Sequence, residues 1–132
     1  RSGCVITKDT RIICTGYVGS PAGLPHCDEV GHEIRTITHE DGTKTRHCLR
    51  TGHAEANAIA NAARFGVALE GATLYAHMVP CYACAKMIIN AGIKRVVFNL
   101  DYHDGQRSKE IFKEAGVELK IVNPRVETYA NM

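Results

Sequence analysis

The sequence contains no tryptophan, and its aromatic share is only 6%. It also lacks any block of like charge: lysine and arginine are spread along the chain, and the formal net charge is only +2. Long nucleic acid is gripped by basic stripes and single strands by aromatic platforms. This composition therefore argues against a long nucleic-acid partner and leaves room for a small anionic ligand. No run approaches the roughly 18 consecutive apolar residues of a membrane span, and no charged-then-apolar leader opens the chain. The reading is a soluble protein with no membrane partner. Its 132 residues, 45% hydrophobic and 23% charged, suit one domain over residues 1–132 with a core of its own. Because the chain starts at Arg1, without Met and directly before an apolar run, the expectation is that an N-terminal segment is missing.

Six cysteines would allow three disulfides, but disulfide-dense scaffolds are mostly shorter and poorer in apolar periodicity. Cys81 and Cys84 have instead the spacing of metal ligands, which suits a reducing, cytoplasmic setting. Cys4 and Cys14 fall on predicted strands and read as buried apolar residues.

The segments Cys4-Val5-Ile6-Thr7 and Arg11-Ile12-Ile13-Cys14-Thr15 predict a β-hairpin. From Gly16 to Gly52 the chain is rich in Gly, Pro, His and charge with little hydrophobic period, and it reads as one long functional loop. From His53 to Phe65, Ala54, Ala58, Ile59, Ala62 and Ala63 recur at helical spacing until Gly66 stops them. A strand over Thr73–His77, a helix over Pro80–Ala91 and a strand over Arg95–Asn99 follow. A helix over Gln106–Ala115 and a strand over Val117–Val122 complete the order. Alternation of this kind calls for a sheet with parallel strands and right-handed crossovers. The fold class expected is α/β, a three-layer α/β/α sandwich with a mixed sheet.

The residues that carry chemistry are His53-Ala54-Glu55 and, 25 positions after Glu55, Pro80-Cys81-Tyr82-Ala83-Cys84. Alone, C-x-x-C is also a redox pair or half a structural zinc site, and H-x-E alone says little. Together, at two predicted helix starts, they match the H-x-E…P-C-x-x-C signature of zinc deaminases. Cys81 and Cys84, three apart, share a helix face, and the positive end of the helix stabilises thiolates. His53 and Glu55, two apart, reach one pocket only if the helix end itself points into it. Three protein ligands, His53, Cys81 and Cys84, leave a fourth tetrahedral position for water, the mark of a catalytic Zn2+. Zinc lowers the pKa of such a water to about 7. Glu55 is the catalytic residue placed to take its proton and pass it to a ring nitrogen and a leaving amine.

Over nearly its whole length the sequence resembles the deoxycytidylate (dCMP) deaminase family, within the cytidine-deaminase-like fold. The carriers are Gly16-Tyr17-Val18-Gly19-Ser20-Pro21, Gly23-Leu24-Pro25-His26-Cys27-Asp28, His53-Ala54-Glu55-Ala56-Asn57-Ala58-Ile59, Pro80-Cys81-Tyr82-Ala83-Cys84-Ala85-Lys86 and Ala91-Gly92-Ile93-Lys94-Arg95-Val96-Val97. The resemblance implies hydrolysis of dCMP to dUMP for thymidylate synthesis, in a homo-oligomer, often a hexamer, with dCTP raising and dTTP lowering activity. It also implies that Asn57 orients the nucleotide and that Tyr102 packs against it, although Tyr102 alone reads equally as a surface aromatic. The family often has Asn where this chain has Val18, which cannot hydrogen-bond a sugar hydroxyl. Relatives usually begin with a helix before the first strand, and Arg1-Ser2-Gly3 reads as the tail of that stretch.

Two questions stay open at this level. His26, Cys27, His32, His47 and Cys48 are either a second, structural Zn2+ site, as some relatives carry, or solvated loop residues in no strict ligand pattern. The substrate is dCMP or another base or nucleotide, such as dCTP, a free nucleoside or a pyrimidine in riboflavin synthesis; a non-catalytic zinc module of the same fold is the rival from outside enzymes. Lys109, Arg107 and His103 are the cations named for a phosphate.

Overall fold

The computed structural model describes residues 2–102, 105–123 and 126–127, of which Tyr102, Val126 and Glu127 are described by their backbone. Strands β1 (Gly3–Lys8) and β2 (Arg11–Tyr17) form the opening hairpin. Its turn residues Asp9 and Thr10 both have positive φ, 52° and 65°, the left-handed pair that matches the twist of a tight hairpin. β1 then pairs antiparallel with β5 (Thr73–Met78), and β5, β6 (Arg95–Tyr102) and β7 (Glu118–Ile121) run parallel. The sheet order is β2-β1-β5-β6-β7, with β8 (Val126–Glu127) paired to the end of β6. The sheet is mixed and the class α/β, as the sequence led us to expect. Within this sheet, β8 is a strand that the sequence reading did not include.

Three helices make the crossovers: α2 (Ala54–Phe65) between β2 and β5, α3 (Tyr82–Asn90) between β5 and β6, and α4 (Gln106–Glu114) between β6 and β7. Each step crosses the sheet in the same direction, so a common right hand places all three on one face. α2 packs on β1 and β2 and touches α3, α3 touches α4, and α4 reaches β7. Of the sandwich's two helical layers, the described residues form this one. Between it and the sheet lie Ile6, Leu74, Val96 and Phe98 from the strands and Ala58, Ile88 and Phe112 from the helices, all fully buried.

The expectation of an unstructured stretch from Gly16 to Gly52 is corrected here. It contains a one-turn helix, α1 (Cys27–Val30), and a second hairpin of β3 (Ile34–Thr38) and β4 (Lys44–Cys48), separate from the main sheet. The hairpin's burial pattern is mostly exposed, so it has no apolar alternation to read. Its turn was legible: Gly42 adopts φ 84°, and Asp41 Oδ1 accepts hydrogen bonds from the Thr43 N–H and hydroxyl at 2.9 and 2.6 Å. Asp-Gly is a strong short-range turn signal.

α2 sits unusually near the sheet because small residues line the contact. Ala54, Ala58 and Ala62, one turn apart, are its buried face, and Gly16 of β2 meets it. A Cβ built on Gly16 would overlap the carbonyl oxygen of Ala54 and stand 2.6 Å from the amide nitrogen of Ala58. The neighbouring thiols donate to the same helix: Cys4 Sγ to the Ala54 carbonyl at 3.4 Å and Cys14 Sγ to the Ala58 carbonyl at 3.1 Å. The two contacts of a Cβ at Gly16 are backbone clashes that no rotamer change relieves. Gly16→Ala should therefore cost about 3 kcal/mol of stability, read as a lowered denaturant midpoint at unchanged m-value; an unchanged midpoint would refute the close approach.

Candidate metal centre

His53 and Cys81 occupy equivalent places, each the N-cap residue of its helix, with extended backbone at φ −68°, ψ 152° and φ −65°, ψ 165°. The predicted helix starts at His53 and Pro80 are thus one and two residues too early. The physical gain is in direction: neither side chain caps its own helix, so both project beyond the helix ends. His53 Nδ1 lies 3.4 Å from Cys81 Sγ and 3.6 Å from Cys84 Sγ. All three donor atoms lie within 4.8 Å of one another. Tetrahedral zinc, with Zn–S near 2.3 Å and Zn–N near 2.0–2.1 Å, separates nitrogen and sulfur ligands by about 3.5 Å. The three side chains could therefore hold zinc with little rearrangement.

The electrostatics agree with that donor set. The Cys84 thiol hydrogen-bonds Cys81 and, with His53 and the Cys84 N–H assisting, pulls the Cys81 thiol down to about 4. Cys84, the donor of that bond and itself buried, is pushed far up. The pair shares one proton, which a metal would displace on binding. The hydrogen bond to Cys81 also raises His53. Glu55, one residue into α2, has its carboxyl raised above the usual range by burial first of all. His53, Glu55 and Cys81 line one cavity of about 770 Å³, a size suited to small-molecule ligands.

This arrangement is matched by comparison with known proteins. Residues 1–100 match the family model described as the cytidine and deoxycytidylate deaminase zinc-binding region. The chain belongs to that family. It is 42% identical over 120 residues to ComE operon protein 2 of Bacillus subtilis, covering 91% of this chain and 59% of that protein. It is 36% identical to the deoxycytidylate deaminase of Schizosaccharomyces pombe, covering 94% of this chain and 38% of the relative. The chain thus spans less than two thirds of the length of either relative. Among solved structures, the dCMP deaminase of cyanophage S-TIM5, in complex with dCMP and dUMP, superposes with a TM-score of 0.70 at 27% identity. That alignment covers 92% of this chain and 80% of the phage chain.

Within this family member, Asn57 is turned toward its own backbone. Its Nδ2 donates to the carbonyls of Tyr17, Gly19 and Gly52 at 2.8, 3.3 and 3.2 Å, where Gly19 and Gly52 form an antiparallel bridge. The G-Y-V-G segment is thereby pinned to the start of α2. Tyr102 ends β6 in backbone register with Glu127; its side chain, like His103, lies outside the described residues. Two of the three cations named from sequence for a phosphate have partners among the described residues. Lys109 pairs with Asp101 at 2.7 Å, and the Arg107 guanidinium stacks 4.2 Å from the Tyr82 ring centre.

A second donor cluster forms in the corrected segment, from Cys27, His32 and Cys48. The two sulfurs are 3.6 Å apart. Burial would push the Cys48 thiol up, yet hydrogen bonds from His32, the Glu33 and Arg50 amides and Cys27 bring it down to about 6. A thiol with its pKa lowered, beside a second thiol and an imidazole, is a good zinc donor set. His26 and His47 fall outside this cluster. His47 Nε2 instead bonds the Thr45 hydroxyl at 2.7 Å, and that hydroxyl meets His39 Nε2 at 2.8 Å. Sequence reasoning also missed Ser2, Arg46, Thr51 and His77, which line the main cavity and carry no motif. With both clusters loaded, elemental analysis should find about two zinc ions per chain, and Cys48→Ser should bring this to about one. Retention of both ions by Cys48→Ser would rule out the second cluster as a zinc site.

Proposed function

We propose that this chain catalyses the hydrolytic deamination of dCMP to dUMP, consuming water and releasing ammonia, and so supplies thymidylate synthesis. The observation that carries it is the placing of a half-buried Glu55, its carboxyl pKa raised by burial, in one cavity with His53 and Cys81, with Cys84 completing the donor set. The relatives named above as deoxycytidylate deaminases support the choice of substrate.

His53, Cys81 and Cys84 are the residues that would hold zinc. When bound there, zinc would supply Lewis acidity that makes a water more acidic. Glu55 takes the proton of the attacking water, delivers it to ring N3 as C4 becomes tetrahedral, and passes a second proton to the departing 4-amino nitrogen. A carboxylate held near its protonation midpoint suits both directions of transfer. Burial raises its pKa toward that point. Asn57 acts on the nucleotide through the Tyr17–Gly19 segment it anchors, and the family resemblance gives Tyr102 the role of packing against the nucleotide. The reading extends to a cytoplasmic homo-oligomer, a hexamer under dCTP and dTTP control, on the strength of the family resemblance. Six free cysteines fit a reducing compartment.

Glu55→Gln keeps the side-chain volume and removes the proton shuttle. Ammonia release from dCMP should fall by about 10²–10⁴-fold while zinc content and melting temperature stay at wild-type values. Turnover by Glu55→Gln at the wild-type rate would remove Glu55 from the chemistry.

A further inference from the structure

Deamination of a nucleoside 5′-monophosphate in this cavity requires a group there to receive a dianionic phosphate. Among the described residues lining the cavity, Arg46 is the only lysine or arginine. It sits on β4, where it faces Thr36 of β3, and it forms no ion pair among the described residues. Cys48, two residues further along the same strand, also lines the cavity. In a strand, residues two apart share a face, so the face that carries Arg46 is the one held by the Cys27–His32–Cys48 cluster.

We propose that Arg46 is the specificity-determining residue for the substrate's 5′-phosphate, an inference that rests on the nucleotide reading above. The cavity has two sides. His53, Glu55 and Cys81 supply the chemical end, and Asp28, His32, Ile34, Arg46 and Cys48 supply a wall from the α1 and β3–β4 segment. The base must meet Glu55, so the phosphate, at the far end of the nucleotide, falls toward the exposed side, and Arg46 is solvent-exposed. Asp28 is the acid of this wall, carried on α1, a different element from Arg46. A guanidinium presents paired N–H donors that fit two phosphate oxygens at once. The hairpin is braced for such a role at its base, where the Leu49 amide donates to the Glu33 carbonyl at 2.7 Å. Arg50 Nε donates to the Gly31 carbonyl at 3.1 Å beside it.

The test compares ligands that differ only in the phosphate. Calorimetric titration of zinc-loaded wild type, Arg46→Ala and Arg46→Lys with dUMP and with deoxyuridine reads the phosphate's share of affinity without turnover. Arg46→Ala should weaken dUMP binding by about 10–100-fold and leave deoxyuridine within about twofold, with Arg46→Lys recovering part of the loss. In turnover, Arg46→Ala should raise KM for dCMP with kcat nearly unchanged. A dUMP-to-deoxyuridine ratio in Arg46→Ala equal to wild type, or parallel loss of both ligands, overturns the proposal. A wild-type chain that binds dUMP through Arg46 yet deaminates no cytosine nucleotide sinks the proposed activity and leaves the phosphate site standing.

Discussion

Two helices have to begin at the same place. The metal-ligating atoms come from residues 28 positions apart in sequence, His53 and Cys81, and they meet because α2 and α3 both start at the same end of neighbouring crossovers. Right-handed crossovers stepping in one direction put the two helices side by side, and extended N-cap residues throw their side chains past the helix ends. All else near the site serves that alignment. The alanine face of α2 and the bare Gly16 let the helix settle onto β1 and β2. The thiols of Cys4 and Cys14, and the Asn57 amide, fix its first turns to the strands and to the Gly19–Gly52 bridge.

The same convergence creates an electrostatic demand. Two sulfurs, one buried and one half-buried, share a small volume with an imidazole and a carboxyl, and their titrations part accordingly: the Cys84 thiol is pushed up, the Cys81 thiol is pulled down, and burial raises the Glu55 carboxyl. A divalent cation at this point replaces a shared proton and stabilises both sulfurs as anions. The hairpin of β3 and β4 repeats the device on a smaller scale with Cys27, His32 and Cys48. That segment buries little apolar surface, since no residue of α1 is buried and β3 and β4 are largely exposed. A metal cross-link is what such a poorly cored segment can use to hold one shape.

What the sequence made legible follows from this division. The crossover helices could be read because alanine or aliphatic periodicity is needed to pack on a sheet, and glycine in a left-handed conformation ends α2 at Gly66, φ 68°. The metal donors could be read because helix-start motifs with fixed spacing leave few other uses for a His and two Cys. The β3–β4 hairpin was hidden because an exposed two-stranded ribbon shows no hydrophobic alternation, although Asp41-Gly42 announced its turn. One of the cations named from the last third of the chain, Lys109, stands apart for a topological reason. Lys109 lines a separate depression between α4 and β7, away from the zinc donors, whereas Arg46 reaches the cavity from a segment that no periodic pattern located. Asn57 shows the opposite effect: its motif position was evident, but its three bonds to backbone carbonyls depend on a bridge between residues 33 apart, Gly19 and Gly52.

The central claim is that the three-donor cluster and Glu55 form a zinc-dependent deaminating site. Its most direct test is ammonia release from dCMP by the purified chain, measured as isolated, after exhaustive chelation and after zinc is restored. The account predicts turnover that disappears with the metal and returns with it. Turnover that persists in fully zinc-free protein would contradict it, and so would a zinc-loaded, folded chain that releases no ammonia from dCMP, dCTP or deoxycytidine.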